Sequence, residues 1–410
     1  MTEQAAQTAE YRCPGEKYPI SRSVHLGRLA RFYPKCRRCV HRDDTGTLST
    51  RLVQRLAETR FRGELRPLFH EEGAGGFAPD DLDPAAARDI AAALGVSLRR
   101  QADRPPVFVL AGDGRALACE MIAAVAEGLR FAGCEVVDVG PATTACLAFT
   151  VSHLAADGGV LVGNPSDTPH GVGLKFFDAH PQPLAHDGPL RRLEKSYRTG
   201  IERPSRTGGS LRRFQARVPY LETLVEHYHA LRPLRLVLDS AGAPLVRYLR
   251  ELAEPTACEI IPRRTIRDEF SEQIAADRAH LAARIDGDGE ACELFDEQGR
   301  RVPAERLLPL LARHLRIADA RRVVVLEQGT SPSSAGAIGP RLELSDARRP
   351  AMAAAMREHG AIFGGGPSGR FWYSDAGPPL LDALRTVTLL LVLLSRSDRA
   401  FSEVLDRETP

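Results

Sequence analysis

The sequence predicts an α/β fold in which three tandem units follow a short N-terminal segment that contains cysteine and histidine. The main observation is a strand, a helix and a second strand at close spacing, over residues 107–111, 117–131 and 135–139. That order is typical of a right-handed crossover in a parallel sheet. Apolar runs that begin at Arg235 and Arg322 open two further units of the same kind.

The chain has 410 residues, enough for roughly three domains. A polar, glycine-containing stretch over residues 198–212 predicts a linker. Together with the apolar runs it sets the predicted boundaries: an N-terminal segment at 1–58 and units at 59–200, 212–318 and 319–402. Asp83 and Pro84 predict a helix start in the first unit, and Gly95 predicts that helix's end. An apolar helix is expected from about Leu380.

The N-terminal segment contains a candidate metal site. Cys36 and Cys39 form a Cys-x2-Cys pair, a spacing at which two thiolates can hold one ion. Cys13 is a natural third ligand and either His25 or His41 a fourth, which predicts a structural zinc. An iron–sulfur cluster and free cysteines in a flexible arm are the alternatives. A metal would help this segment to fold, because so short a segment has little core.

Composition and charge exclude several classes of protein. The formal net charge of +2 argues against a protein that binds nucleic acid through bulk charge. No signal peptide is visible, and the longest apolar stretch, residues 387–394, is too short to span a bilayer. The eight cysteines are spread along the chain, which fits a reducing cytoplasm. The basic N-terminal segment predicts either a docking surface for an anionic partner or a solvated face.

A loop in the second unit, the acidic loop, carries three carboxylates at alternate positions: Asp286, Asp288 and Glu290. Gly287 and Gly289 allow the backbone to fold tightly, so that the acids can converge. Three hard oxygen ligands on one loop suit Mg²⁺. The alternative is an acidic hairpin turn, because Asp-Gly is a strong turn signal.

The acidic loop resembles the metal loop of the alpha-D-phosphohexomutases, the phosphoglucomutase/phosphomannomutase family. That loop reads Asp-Gly-Asp-x-Asp-Arg and is followed, after a short strand, by Asp-Glu; Asp296 and Glu297 stand at the same distance here. Glu290 replaces the third Asp and could still bind metal with its longer side chain. Ala291 replaces the Arg and removes its positive charge.

Two motifs of the first unit match the same family in the same order. Asp113 and Arg115 fit a Gly-x-Asp-x-Arg sequence at the end of the first strand. Lys175 matches the end of a motif that reads Gly-Gly, strand, Thr-Ala-Ser-His-Asn-Pro, and then Asn-Gly-x-Lys. In the family its Ser carries the phosphoryl group. Without gaps Pro165 falls on that Ser, whereas one insertion and one deletion place Ser166 there, as a phosphoacceptor or as a turn serine.

The third unit contains a glycine-rich loop, residues 363–370, that resembles the family's Gly-Gly-Glu-x-Ser-Gly-His. The Glu and Ser of that motif hold the sugar hydroxyls. Ser368 is retained, whereas Gly366 replaces the Glu and Arg370 replaces the His. Arg370 could bind an anion, and a glycine-rich surface turn is the alternative.

The resemblance covers all but the N-terminal segment and implies three phosphohexomutase-like α/β/α domains with mixed sheets. It implies a cytoplasmic isomerase of carbohydrate metabolism that binds a hexose phosphate and Mg²⁺. Ser166, Arg115 and Lys175 would be catalytic, and Ser368 and Arg370 would bind substrate. Family members continue into a fourth domain whose Arg-x-Ser-x-Thr-Glu-Pro loop anchors the substrate phosphate, and this sequence contains no such loop. Two classes therefore stay open: an enzyme of the mutase type or a phosphosugar phosphotransferase with a rebuilt site, and a non-catalytic relative that binds a ligand or partner. Ordinary mutase activity is expected to be very low or absent.

Overall fold

The protein divides into two compact units. The computed structural model describes residues 11–12, 17–31, 33, 36, 39–53, 56, 67–77, 81–100, 103–164, 171–200, 208–240, 242–263, 270–315, 322–338, 341–375 and 377–408. The first unit comprises Met1–Leu68 and Pro79–Asp81, and the second comprises Phe69–Ala78 and Leu82–Pro410.

Helix α1 (Arg22–Ala30) lies in the first unit. Ser21 caps this helix, because its hydroxyl accepts a hydrogen bond from the backbone N–H of Val24 at 3.3 Å. Leu29 of the helix is fully buried and packs in a small apolar cluster with Cys36. A core of this size provides little stability by itself.

The second unit begins with a seven-stranded mixed sheet. Its strands are β1 (Phe69–His70), β2 (Gly73–Phe77), β3 (Val107–Gly112), β4 (Glu135–Pro141), β5 (Gly158–Gly163), β6 (Gly171–Asp178) and β7 (Leu211–Arg213). Its helices are α2 (Pro84–Arg99), α3 (Ala116–Phe131), α4 (Thr144–His153) and α5 (Pro189–Thr199). The order is β1-β2-β6-β5-β3-β4-β7, and β3 runs parallel to β4 and β5 whereas β6 is antiparallel to β5. The predicted strand, helix and strand are confirmed as β3, α3 and β4.

Two details of this first sheet differ from prediction. Helix α2 continues past Gly95 to Arg99. A Cβ at Gly95 would lie 2.6 Å from the Cβ of Ala132, so this glycine serves close packing and does not end the helix. Strand β7 begins at Leu211, near the end of the stretch predicted as a linker (198–212), and it pairs in parallel with β4.

A five-stranded mixed sheet follows. Its strands are β8 (Arg235–Ser240), β9 (Glu259–Pro262), β10 (Leu281–Ile285), β11 (Cys292–Phe295) and β12 (Arg301–Val302), in the order β12-β11-β10-β8-β9. Its helices are α6 (Arg217–Val225), extended by a 3₁₀ turn (Glu226–Tyr228), α7 (Ala243–Ala253), α8 (Phe270–Ala276) and α9 (Leu307–His314), which follows a 3₁₀ turn (Ala304–Arg306). The acidic loop joins β10 to its antiparallel neighbour β11.

The third sheet also has five strands: β13 (Val324–Glu327), β14 (Leu342–Ser345), β15 (Phe363–Gly365), β16 (Phe371–Tyr373) and β17 (Leu380–Leu381), in the order β14-β13-β15-β16-β17. Its helices are α10 (Pro332–Gly336), α11 (Arg349–Glu358), α12 (Ala383–Leu394) and α13 (Phe401–Glu408). The expected apolar helix is α12, which begins at Ala383 because Asp382 caps it by accepting from the backbone N–H of Arg385 at 2.8 Å. Among the helices described, none is both long and apolar enough to cross a bilayer.

A continuous apolar core holds the three sheets together. Leu161 of the first sheet, Leu238 of the second and Phe363 of the third are fully buried members of one cluster. Because the sheets share this core, loops at their edges can meet in a defined geometry.

Candidate functional site

Lys175, on β6, lies in a buried group of charges. Its ammonium contacts the Oδ2 atom of Asp288 and lies 2.8 Å from the Oε1 atom of Glu290. The three side chains are only 4%, 2% and 1% exposed. Buried charges need close partners, because desolvation of an unpaired ion is costly. We use the name charge cluster for these residues and the two that complete them: Lys175, Asp288, Glu290, Arg349 and Glu72.

Glu290 is the most heavily bonded member of the charge cluster. Nη1 of Arg349 donates to both of its carboxylate oxygens, at 3.0 and 2.9 Å. The hydroxyl of Thr144 donates to its Oε1 atom at 2.7 Å. Burial opposes ionisation, but Arg349 and Lys175 outweigh it and hold the pKa of Glu290 well below its ordinary value. Glu290 therefore stays charged, with both oxygens occupied.

Arg349 connects the acidic loop to the first sheet. It begins α11, and its Nη2 atom donates to Oε2 of Glu72 at 2.8 Å. Its backbone N–H donates to Oε1 of the same carboxylate, also at 2.8 Å. The motifs did not single out Glu72 or Arg349, and no local pattern marks either residue. Only the tertiary fold reveals their part in the site.

The backbone of the acidic loop is tightly folded. Gly289 has a φ of 74°, a left-handed conformation that favours glycine. Asp286 turns back on the loop, and its Oδ1 atom accepts from the backbone N–H of Glu290 at 2.7 Å. Burial, with the nearby charges of Glu290 and Asp288, raises the pKa of Asp286 to about 7. This carboxyl group therefore titrates near neutral pH.

Asp288 lies against the end of β5. The backbone N–H of Asn164 donates to its two oxygens at 3.2 and 3.3 Å. A Cβ at Gly163 would lie 2.3 Å from the Oδ1 atom of Asp288. The absence of a side chain at Gly163 is therefore what allows this close approach.

As arranged, the three predicted Mg²⁺ ligands do not fit that ion. Mg²⁺ requires near-octahedral oxygen ligands at about 2.0–2.1 Å. Asp288 and Glu290 do converge, but on the ammonium of Lys175, while Asp286 bonds to its own loop. Within the described part of the chain, no three His, Cys, Asp or Glu side chains are placed to hold a metal ion. Mg²⁺ binding by these residues thus stays a prediction.

Arg115 and Asp113 lie just beyond β3. Nε of Arg115 donates to Oδ2 of Asp113, and the backbone N–H of Arg115 donates to Oδ1 at 2.9 Å. Burial raises the pKa of Asp113, and the charge of Asp288 adds to that shift. Nη2 of Arg115 is buried and has no hydrogen-bond partner among the residues that the structure describes. This guanidinium therefore has a donor that those residues do not use. The predicted phosphoacceptor Ser166 lies outside the described residues.

The glycine-rich loop carries its own carboxylate contact. The hydroxyl of Ser368 donates to Glu327, at the end of β13, and its backbone N–H donates to the same group at 2.9 Å. A Cβ at Gly366 would lie 2.5 Å from the Cβ of Glu327. A larger residue at position 366 would therefore displace Glu327. Glu327 belongs to none of the predicted motifs, because it lies on β13 and not in the glycine-rich loop.

The glycine-rich loop also touches the strand that follows the acidic loop. The carbonyl of Gly369 accepts from the backbone N–H of Cys292 at 3.0 Å. The Nη1 atom of Arg370 lies 3.6 Å from the Oε1 atom of Glu72. The fold thus brings Arg370 and Lys175, predicted from separate motifs, to one charge cluster.

The predicted zinc site of the N-terminal segment is not confirmed. Cys36 and Cys39 are buried, but Cys13 lies outside the described residues. Nε2 of His25 is 3.0 Å from the carbonyl of Asp44, so this nitrogen already has a partner. No set of three metal-binding side chains forms among the residues that the structure describes.

Comparisons with known proteins point to one family. Residues 66–203 match the family model for phosphoglucomutase/phosphomannomutase, alpha/beta/alpha domain I. A phosphoglucosamine mutase of Gluconacetobacter diazotrophicus is 28% identical over 84% of this chain and 82% of that protein. A phosphoglucomutase/phosphomannomutase of Thermococcus kodakarensis is 25% identical over 83% and 79%. A crystal structure of a phosphoglucomutase/phosphomannomutase family protein from Burkholderia thailandensis superposes with a TM-score of 0.74 at 22% identity, covering 84% of this chain and 80% of that one.

Proposed function

The chain belongs to the alpha-D-phosphohexomutase family, and from that premise we propose that it binds a hexose phosphate beside the charge cluster and exchanges a phosphoryl group through Ser166. The observation that carries this proposal is the buried Nη2 donor of Arg115, which has no hydrogen-bond partner within the described part of the chain. Phosphoryl transfer depends mainly on positioning and on charge stabilisation. A guanidinium that is already held by Asp113 is preorganised for a phosphate oxygen.

Position along the chain supports Ser166 as the acceptor. Asn164, two residues earlier, donates its backbone N–H to Asp288. Arg115 follows β3, the parallel neighbour of the strand that ends before Asn164. A serine in a Gly/Pro-rich loop after a strand is suited to bear a phosphoryl group.

Ser368 and Arg370 would hold the rest of the substrate. The hydroxyl of Ser368 donates to Glu327 and accepts from the backbone N–H of Arg370 at 3.2 Å. Its oxygen has one further lone pair, which would accept from a sugar hydroxyl. Arg370 is 23% exposed and would pair with a phosphate. The names of the relatives favour glucose, mannose and glucosamine phosphates as the first sugars to test.

We expect slow turnover. Lys175 lies between two carboxylates, so its ammonium is already paired and is less available to stabilise a transferring phosphoryl group. The closed pattern of ion pairs also favours the second candidate function, a non-catalytic protein that binds a phosphosugar. Both candidates predict binding of a hexose phosphate, and only the first predicts a phosphoserine.

Intact-mass analysis after incubation with glucose 1,6-bisphosphate separates the two candidates. The enzyme hypothesis predicts a gain of one phosphoryl group that disappears in Ser166→Ala. Thr168→Ala, which removes a second hydroxyl of the same stretch, is the matched control and should still gain it. No mass gain together with saturable binding of glucose 6-phosphate would select the non-catalytic candidate. Neither phosphorylation nor binding of any of the three sugar phosphates would reject both.

A further inference from the structure

The position between Asp288 and Glu290 already contains a cation. The ammonium of Lys175 contacts one oxygen of each carboxylate, within a site that is nearly closed to solvent. Lys175 reaches this position from β6, where it pairs with Leu161 of β5. Its position is therefore fixed by two paired strands of the first sheet.

Both oxygens of the second carboxylate, that of Glu290, already accept hydrogen bonds. Oε1 of Glu290 accepts from Thr144, Lys175 and Arg349, and Oε2 accepts from Arg349. Arg349 is itself only 2% exposed and is held in place by Glu72. A metal ion could take the place beside Oε1, the oxygen that faces Lys175, only by displacing one of its three donors.

We propose that Lys175 is the resident cation of the acidic loop, and that no divalent cation binds between Asp288 and Glu290 while Lys175 is in place. The two positive side chains, Lys175 and Arg349, neutralise the carboxylates that a metal would otherwise neutralise. A divalent ion coordinated there would lie close to the ammonium, and the two would repel each other strongly. If Lys175 withdrew, its ammonium would lose both carboxylate partners, which is also unfavourable.

This inference concerns cation binding and holds whether or not the protein transfers phosphoryl groups. It requires only that Lys175 remains in contact with both carboxylates. The test therefore measures binding of a divalent cation, and its outcome does not depend on turnover.

The experiment titrates Mn²⁺ into the full-length protein and follows free Mn²⁺ by electron paramagnetic resonance, with thermal unfolding in MgCl₂ as a second readout. The wild type should show no stoichiometric site and no Mg²⁺-dependent rise in Tm. Lys175→Met should gain one site, at least about tenfold tighter than any in the wild type, because the competing charge is gone. That site should disappear in Lys175→Met/Asp288→Asn. Lys195→Met, on the exposed side of α5, should behave like the wild type.

Two results would overturn the proposal. One is a folded Lys175→Met protein that gains no site, since Lys175 would then not be the group that excludes the metal. The other is a stoichiometric Mn²⁺ site in the wild type that Asp288→Asn removes. This second measurement is decisive even if Lys175→Met fails to fold, and absence of a wild-type site supports the proposal in that case.

Discussion

Arg349→Met tests whether the charge cluster is a major source of stability. Removal of the guanidinium leaves Glu72 without its main partner and Glu290 with Lys175 and Thr144 alone. Breaking a buried ion pair from one side costs about 3–5 kcal/mol. Because two donors to Glu290 remain, we expect the lower end, about 3 kcal/mol of unfolding free energy.

The neighbouring Arg348 provides a matched control. It pairs with Glu71 and Asp346 at the surface, where its side chain is 49% exposed. Exposed pairs contribute about 0–1 kcal/mol, so Arg348→Met should destabilise the protein far less. Two adjacent arginines at the start of α11 should therefore differ: replacing Arg349 should lower the free energy of unfolding substantially, and replacing Arg348 should change it little.

Urea unfolding followed by tryptophan fluorescence is a suitable assay. The protein has a single tryptophan, Trp372, which is 1% exposed and packs in a cluster with Met352 of α11. Its fluorescence therefore reports on the sheet against which the mutated helix packs. If Arg349→Met and Arg348→Met lost equal stability, within about 0.5 kcal/mol, the reasoning on burial would be refuted.

Three further predictions follow from the same structure. Asp286 has a folded-state pKa of about 7 against an ordinary 3.8. In the unfolded protein Asp286 releases its proton at a lower pH than in the folded protein, so the free energy of unfolding should fall as pH rises from about 4 to 7. Because the Asp286 residue is only half-buried, we expect a fall on the order of 2 kcal/mol. Asp286→Asn should flatten that slope in urea titrations. Ser368→Ala should raise the Kd for glucose 6-phosphate by about tenfold in calorimetry, because the sugar hydroxyl would lose its hydrogen bond to the Ser368 oxygen. Zinc, if bound through Cys13, Cys36 and Cys39, should appear by elemental analysis as about one atom per chain and disappear in Cys36→Ser.

Each of these three predictions has a result that would contradict it. An unchanged pH slope in Asp286→Asn would mean that another group titrates. Equal affinity for glucose 6-phosphate in Ser368→Ala and in Ser333→Ala, which changes a serine of α10, would remove Ser368 from the proposed site. Protein purified without chelators and free of zinc and iron would contradict the N-terminal metal site.

The alternation of buried strands and helices was readable from the sequence, because periodicity and capping are local. β3, α3 and β4 fall where their apolar runs predict, and Pro84 begins α2 as its position suggests. The family resemblance drawn from short motifs agrees with the comparisons for the same reason: the motif spacing is a property of the chain. The predicted end of α2 was wrong, because Gly95 provides close packing against Ala132, a residue far along the sequence.

The partners of the charged residues were decided by the tertiary structure alone. The sequence identified Lys175, Asp288 and Glu290 but placed the two acids around a metal ion. Arg349 reaches Glu290 across 59 positions of the chain, and Glu72 across 277. No local pattern encodes such distances, whereas a buried charge must find a counter-charge wherever the packed sheets bring one near. The sequence therefore determined which charges are present, and the packing of three sheets on one core decided which of them neutralise one another.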